Sequence, residues 1–223
     1  MMTKNQYENR YWEQQQLVCG IDEVGRGACF GPVVVSAAIL PINERSTLLK
    51  DSKTLTPTSL NLADQYLRQR ASFAFGLASA AEIDRFNIYR ATLLAMRRAV
   101  CQLFSICQQL PAALLVDAMP LALTQTAYQA LPVYHFPKGE DYSISIAAAS
   151  ILAKVYRDRL LAIYAQSFPN YGLAAHKGYV TKQHQAALAQ HGASFLHRQS
   201  YLLGAKQQAN LGAVHERQTT LFC

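Results

Sequence analysis

No apolar run in the sequence is long enough to cross a bilayer, and the first sixteen residues hold no apolar core of the kind a secretory signal carries. These absences predict a soluble, cytoplasmic protein with no membrane partner. The five cysteines, at 19, 29, 101, 107 and 223, include no C-x-x-C pair, and their odd number does not make a disulfide framework. Reduced thiols are the expectation. Repeats and low-complexity tracts are also missing. Charge is sparse, at 16% of residues against 51% hydrophobic, which excludes a disordered chain. Acids are the scarcer sign: 14 against 21 basic residues leave a formal net charge of +7. That excess favours an acidic partner such as nucleic acid without specifying one.

The 223 residues suffice for one domain with a sizeable core. Residues 1–16 read as a polar extension with a short helix around Tyr11 and Trp12. Leu17–Ile21 and Pro32–Leu40 read as buried strands, Ala71–Ala78 as a third, Ala113–Val116 and Pro132–Phe136 as two more. Between them lie a helix near Ser59–Arg70, with Thr56 as N-cap and Pro57 at the first helical position, and a long helix from Ala80 to about Gln109. Ser143 to about Gln166 is a further helix, with an Ala-Ala-Ala run at 147–149 suited to close packing. Two leading strands followed by strand–helix alternation predict an α/β sheet with helices on both faces. The expected divisions are the extension 1–16, a domain 17–204 with C-terminal helices from about 160, and a flexible tail 205–223.

Three strand ends carry acids: Asp22-Glu23, Asp117 and Glu140-Asp141. A charge directly after a buried apolar run is costly unless paired or metal-bound. Neighbouring strands lie only about 5 Å apart, so acids from one sheet can converge. Converging carboxylates suit a hard cation, Mg²⁺ or Mn²⁺, and solvated strand ends are the alternative. Successive strand residues face opposite ways, so Asp22 and Glu23 cannot share one ion through side chains unless the strand bends. Otherwise Glu23 offers its backbone carbonyl or reaches a second ion. Gly25-Arg26-Gly27 follows at once, with a backbone open to close approach and an arginine able to meet phosphate. His176, His184, His191 and His197 are spaced by 8, 7 and 6 residues, not the i, i+3 or i, i+4 steps of a helical zinc pair.

In order along the chain, Gly20-Ile21-Asp22-Glu23-Val24-Gly25-Arg26-Gly27, Asp51-Ser52-Lys53, Val116-Asp117, Ala147-Ala148-Ala149-Ser150 and His176-Lys177-Gly178-Tyr179 resemble the bacterial ribonuclease HII family. The resemblance implies a ribonuclease H-like fold, a mixed sheet flanked by helices with a helical C-terminal segment. It implies cleavage of RNA–DNA hybrids and of ribonucleotide-containing duplex DNA, 5′ of the ribonucleotide, at a four-carboxylate divalent-metal site. Asp22, Glu23 and Asp117 match three of the acids. The family has aspartate after Lys-Gly, where this chain has Glu140 and then Asp141; Glu140 is in register, with Asp141 the alternative if the loop shifts. Gly25, Arg26 and Gly27 match the turn that senses the 2′-hydroxyl, and Tyr179 the ring that packs on the next sugar. Lys53, Lys177 and Arg198 are candidate phosphate contacts. Gln218-Thr219-Thr220-Leu221-Phe222 resembles the bacterial sliding-clamp-binding motif, with Gln218, Leu221 and Phe222 as anchors; a loosely packed chain end is the alternative. A monomer is expected. The competing readings are a type HIII ribonuclease H and a non-catalytic nucleic-acid-binding module.

Overall fold

The computed structural model describes residues 4–50 and 52–202. Asp51 and the Gln218, Leu221 and Phe222 peptide lie outside them. The strands are β1 (Val18–Val24), β2 (Val33–Ile39), β3 (Ser72–Ala78), β4 (Ala113–Asp117) and β5 (Val133–Phe136). They form one sheet in the order β3-β2-β1-β4-β5. β1 and β2 pair antiparallel, as do β2 and β3, while β1–β4 and β4–β5 are parallel. The sheet is therefore mixed, as expected. The helices are α1 (Gln6–Trp12), α2 (Pro57–Arg70), α3 (Ala80–Ile106), α4 (Gly139–Tyr142), α5 (Ile144–Ser167), α6 (Leu173–His176) and α7 (Lys182–His191).

Strand parity sorts the core into two layers. Cys19 and Ile21 of β1, with Leu114 and Val116 of β4, bury against Met96, Ala99, Val100 and Leu103 of α3. The opposite parity, Val18, Ala113 and Leu115, packs on Ile146 of α5. Ala148, Ala149, Ile151 and Leu152 of α5 form a third cluster with Ala38 and Leu40. The small residues of α5 let it come so close to β1 that a Cβ on Gly20 would stand 2.1 Å from the Ser145 carbonyl carbon. Only glycine fits there, and that closeness brings α5 down onto the face from which Asp22 projects.

Three elements differ from the sequence reading. β1 does not stop at Ile21; Asp22 and Glu23 stay in the strand, paired with Ser36 and Val35. The long helix is bent at Asn87 (φ 66, ψ 163), whose Oδ1 accepts the Arg90 N–H at 3.1 Å and caps a second helical run. The N-terminal extension holds the short helix expected around Tyr11 and Trp12, but α1 packs into the fold, with Glu8 and Trp12 0% and 1% exposed. Among the described residues no helix is long and apolar enough to cross a membrane.

Candidate active site

Parity and register assemble the acids. Asp22 shares its face with Val18 and Gly20, and Asp117 shares the same face with Ala113 and Leu115. Ile21 is level with Val116 across the parallel β1–β4 pair, so the next step sets Asp22 beside Asp117. After β5 the chain turns through Lys138 in the left-handed region (φ 59) into α4. The Gly139 N–H donates to Asp117 Oδ1 at 2.7 Å, which docks α4 on the end of β4 and carries Glu140 with it. Carboxylate oxygens of Asp22, Asp117 and Glu140 lie within 4.8 Å of one another. Glu23, of opposite parity, stands outside this triplet and pairs with Arg26 at 3.2 Å. Asp141 is exposed and also outside it.

The cleft holding these acids, of about 340 Å³, is lined also by Lys53 and Tyr179. Burial first, then the neighbouring charge of Glu23, pushes Asp22 well above the usual carboxylate range; Asp117 and Glu140 add to the push and a Ser150 hydrogen bond opposes it. Burial pushes Glu23 up as well, against the pull of Arg26. Lys53, its side chain 76% exposed, offers a partial counter-charge at 2.6 Å from Glu140. Three crowded carboxylates with only oxygen donors fit a hard divalent cation rather than the sulfur and imidazole set of structural zinc. Ser52, Ser150 and Lys154 line the same cleft, and the sequence reading missed them as lining residues. The two serines join hydroxyl to hydroxyl at 2.9 Å, tying the Lys53 loop to α5; the lone serine ending an alanine run was the available signal.

The glycine-arginine-glycine turn and the Tyr179 loop meet beside the acids. Gly25 has φ +90, and a Cβ there would stand 2.2 Å from Arg157 Nε. The buried Arg157 donates to the carbonyls of Phe30, Pro32 and Lys177 at 3.2, 3.3 and 2.9 Å, and lies 5.6 Å from the Tyr179 ring centroid. Ala28 bridges antiparallel to Tyr179, with Lys177 half-buried just before. The Tyr179 ring is 39% exposed and the Arg26 side chain 40%. Arg198 does not reach this surface as a phosphate contact: it is fully buried and donates to the Gly31 and Arg26 carbonyls at 3.0 and 2.9 Å. His176, His184 and His197 converge behind Tyr179, although no sequence spacing paired them.

Residues 19–203 match the ribonuclease HII family. Ribonuclease HII of Staphylococcus epidermidis is 44% identical over 203 residues, covering 90% of this chain and 75% of that protein. Ribonuclease HII of Thermus thermophilus is 42% identical over 201 residues, covering 90% and 93%. Ribonuclease HII of Herpetosiphon aurantiacus is 45% identical over 201 residues, covering 87% and 93%. Among solved structures, the PCNA:RNase HII complex from Archaeoglobus fulgidus aligns with TM-score 0.67 and 23% identity, over 82% of this chain and 93% of that one. Bst-RNase HIII in complex with Mn²⁺ aligns with TM-score 0.64 and 20% identity, over 86% and 71%. These two likenesses speak for the ribonuclease H-like fold alone. The family match over most of the sequence carries more: this chain belongs to the ribonuclease HII family and is a ribonuclease H, a hydrolase acting as an endonuclease.

Proposed function

We propose that this protein, as a cytoplasmic monomer, cuts the RNA strand of RNA–DNA hybrids and nicks duplex DNA 5′ of single embedded ribonucleotides, serving ribonucleotide removal in repair and replication. The observation that carries this reading is a carboxylate triplet within 4.8 Å sharing one cleft with Tyr179. Asp22, Asp117 and Glu140 would hold the metal, and Glu23 would complete the set through its backbone carbonyl or at a second ion. When bound there, Mg²⁺ or Mn²⁺ would lower the pKa of water and would take up charge on the phosphate and the leaving oxygen. Family membership supports divalent-metal dependence, and the Bst-RNase HIII neighbour was solved with Mn²⁺. Water adds to phosphorus, the bond to the 3′ oxygen breaks, and that oxygen leaves with a proton, giving 5′-phosphate and 3′-hydroxyl ends.

Selectivity rests on the sugar, because the 2′-hydroxyl is what separates ribose from deoxyribose. The Gly25 and Gly27 backbone reads that hydroxyl, while Arg26, Lys53 and Lys177 meet phosphates. Tyr179 packs on the next sugar to the 3′ side, where a second hydroxyl fits poorly. A duplex with one ribonucleotide, incubated with Mg²⁺ or Mn²⁺, is expected to be nicked on its 5′ side; binding without nicking would leave only the non-catalytic module. Tyr179→Ala is expected to lower single-ribonucleotide cleavage about tenfold more than long-hybrid cleavage. Equal losses on the two substrates refute the sugar-packing role. The relatives named ribonuclease HII favour this type over HIII.

A second reading concerns the tail: Gln218, Leu221 and Phe222 dock a sliding clamp. It is supported by the motif and by the Archaeoglobus fulgidus relative solved with PCNA. A peptide of residues 214–223 is expected to bind a bacterial clamp saturably, and no signal up to high micromolar ends the idea.

A further inference from the structure

Behind Tyr179, hydrogen-bonding groups stand in a line whose two ends fix every proton. His184 Nδ1 faces the Tyr179 carbonyl at 3.0 Å. A carbonyl only accepts, so Nδ1 carries the hydrogen and His184 Nε2 is bare in the neutral ring. At the other end the Ser194 N–H donates to His197 Nδ1 at 2.9 Å, so that nitrogen is bare and the neutral His197 ring is protonated at Nε2. The two Nε2 atoms stand 3.1 Å apart, and donor meets acceptor. One tautomer satisfies the whole chain from Ser194 to Tyr179.

The surroundings enforce that neutral form. His184 and His197 are 0% and 1% exposed. The titratable and charged groups around them are His176, stacked on His184 with centroids 4.4 Å apart, Cys29 with Sγ 3.5 Å from His184 Nδ1, Tyr171 with its ring 4.8 Å from His197, His191 across the Tyr171 ring, and buried Arg198. His176 is fixed in the same way: its Nδ1 accepts the Gly178 N–H at 3.2 Å and its Nε2 donates to the Tyr171 carbonyl at 2.7 Å. Burial holds His184 below the usual imidazole range and His197 at about 4. A proton added to His184 would set its Nε2–H against that of His197; one added to His197 would set Nδ1–H against the Ser194 N–H.

We propose that His184 and His197 are positioning residues, a neutral one-way relay that anchors the Tyr179 backbone from Ser194 and thereby sets how sharply the enzyme prefers a ribose followed by a deoxyribose. This rests on the reading of Tyr179 as the sugar-packing ring. A half-exposed ring can discriminate only if its backbone is immobile, and both ring hydrogen bonds of His176 also end on the 171–179 segment.

The test uses the full chain and three readouts. Heteronuclear NMR of the imidazoles at neutral pH is expected to find His184 protonated at Nδ1 and His197 at Nε2; matching tautomers, or a charged ring, overturn the relay without any variant. Amide exchange at Tyr179 and Thr181, which donate to the His176 and Tyr179 carbonyls, is expected to quicken about tenfold in His197→Ala and less in His197→Gln, which keeps a donor near Nε2. Unchanged exchange overturns the proposal. In cleavage, His197→Ala is expected to lower the single-ribonucleotide to long-hybrid ratio as Tyr179→Ala does, and the double variant to fall no further than Tyr179→Ala alone. Additive losses overturn the route through Tyr179. If Tyr179→Ala leaves the ratio untouched while the loop exchange still quickens in His197→Ala, the sugar-packing role fails and the anchoring of the loop stands.

Discussion

Asp22 and Glu23 are neighbours in sequence and opposites in the sheet, and that single step decides what each can do. Asp22 meets Asp117 and Glu140, while Glu23 meets Arg26. One step also separates Glu140 from Asp141, here the turn of about 100° per residue along helix α4. Glu140 is 7% exposed inside the triplet and Asp141 is exposed outside it. Glu140→Gln is therefore expected to cut cleavage by more than about a hundredfold, since a lost metal ligand costs at least what a lost supporting hydrogen bond does. Asp141→Asn is expected to stay within about twofold, as surface substitutions do. Single-turnover rates on one embedded ribonucleotide check both, and a reversed ranking moves the fourth acid to Asp141. Asp22 and Asp117 were legible in the sequence because each closes an apolar run. The choice between Glu140 and Asp141 was not, because it turns on the left-handed backbone of Lys138 (φ 59), which no local pattern announces. Arg198 misled for a related reason: its carbonyl partners at Arg26 and Gly31 are far away in sequence.

At the scale of elements, most of the sheet was legible. Apolar runs bounded by turn residues marked all five strands, and Thr56-Pro57 marked the start of α2. The short helix α1 was legible around Tyr11 and Trp12, but its burial was not, because its inner face is partly polar: Glu8 is fully buried beside Tyr11 and Trp12. That glutamate has a task. Its Oε1 accepts the Ser143 hydroxyl at 2.5 Å and the Ser145 N–H at 3.1 Å. Asn5 accepts the Ile144 N–H at 3.0 Å, and its own N–H donates to the Tyr142 carbonyl at 2.6 Å. Together they satisfy the first N–H groups of α5, where the helix dipole favours an anion, and clasp the end of α4 that carries Glu140. Glu8→Ala strands these buried donors and is expected to cost about 2–4 kcal/mol in denaturant unfolding. Glu8→Gln, which retains one acceptor oxygen, is expected to lose less. A chain as stable with alanine as with glutamate would reduce α1 to apolar packing by Tyr11 and Trp12.

Across the whole molecule, Asp22, Asp117 and Glu140 come from β1, β4 and α4, segments that meet only when the chain is folded. The unfolded chain keeps these acids apart and solvated, so the folded state alone bears their crowding. Burial and neighbouring charges raise Asp22 well above the usual carboxylate range. A raised carboxylate favours folding in acid, where the buried group is protonated, and that contribution is lost as pH rises through its raised value. Above that raised value the metal-free protein carries a crowded, charged cluster, which a cation bound only to the folded state relieves. Linkage gives about 2.7 kcal/mol of added stability when the free cation reaches 100 times its dissociation constant. Thermal unfolding is expected to shift upward with Mg²⁺ or Mn²⁺ and to return with a chelator. Asp22→Asn should separate the two effects: a higher midpoint than the parent without metal, a much smaller response to metal, and no cleavage. If that variant gains as much from the cation as the parent does, the ion sits elsewhere and the triplet is strain without purpose. If the metal-free variant is no more stable, solvent already relieves the crowding, and the cation's contribution must come from ordering the loops that bring β1, β4 and α4 together.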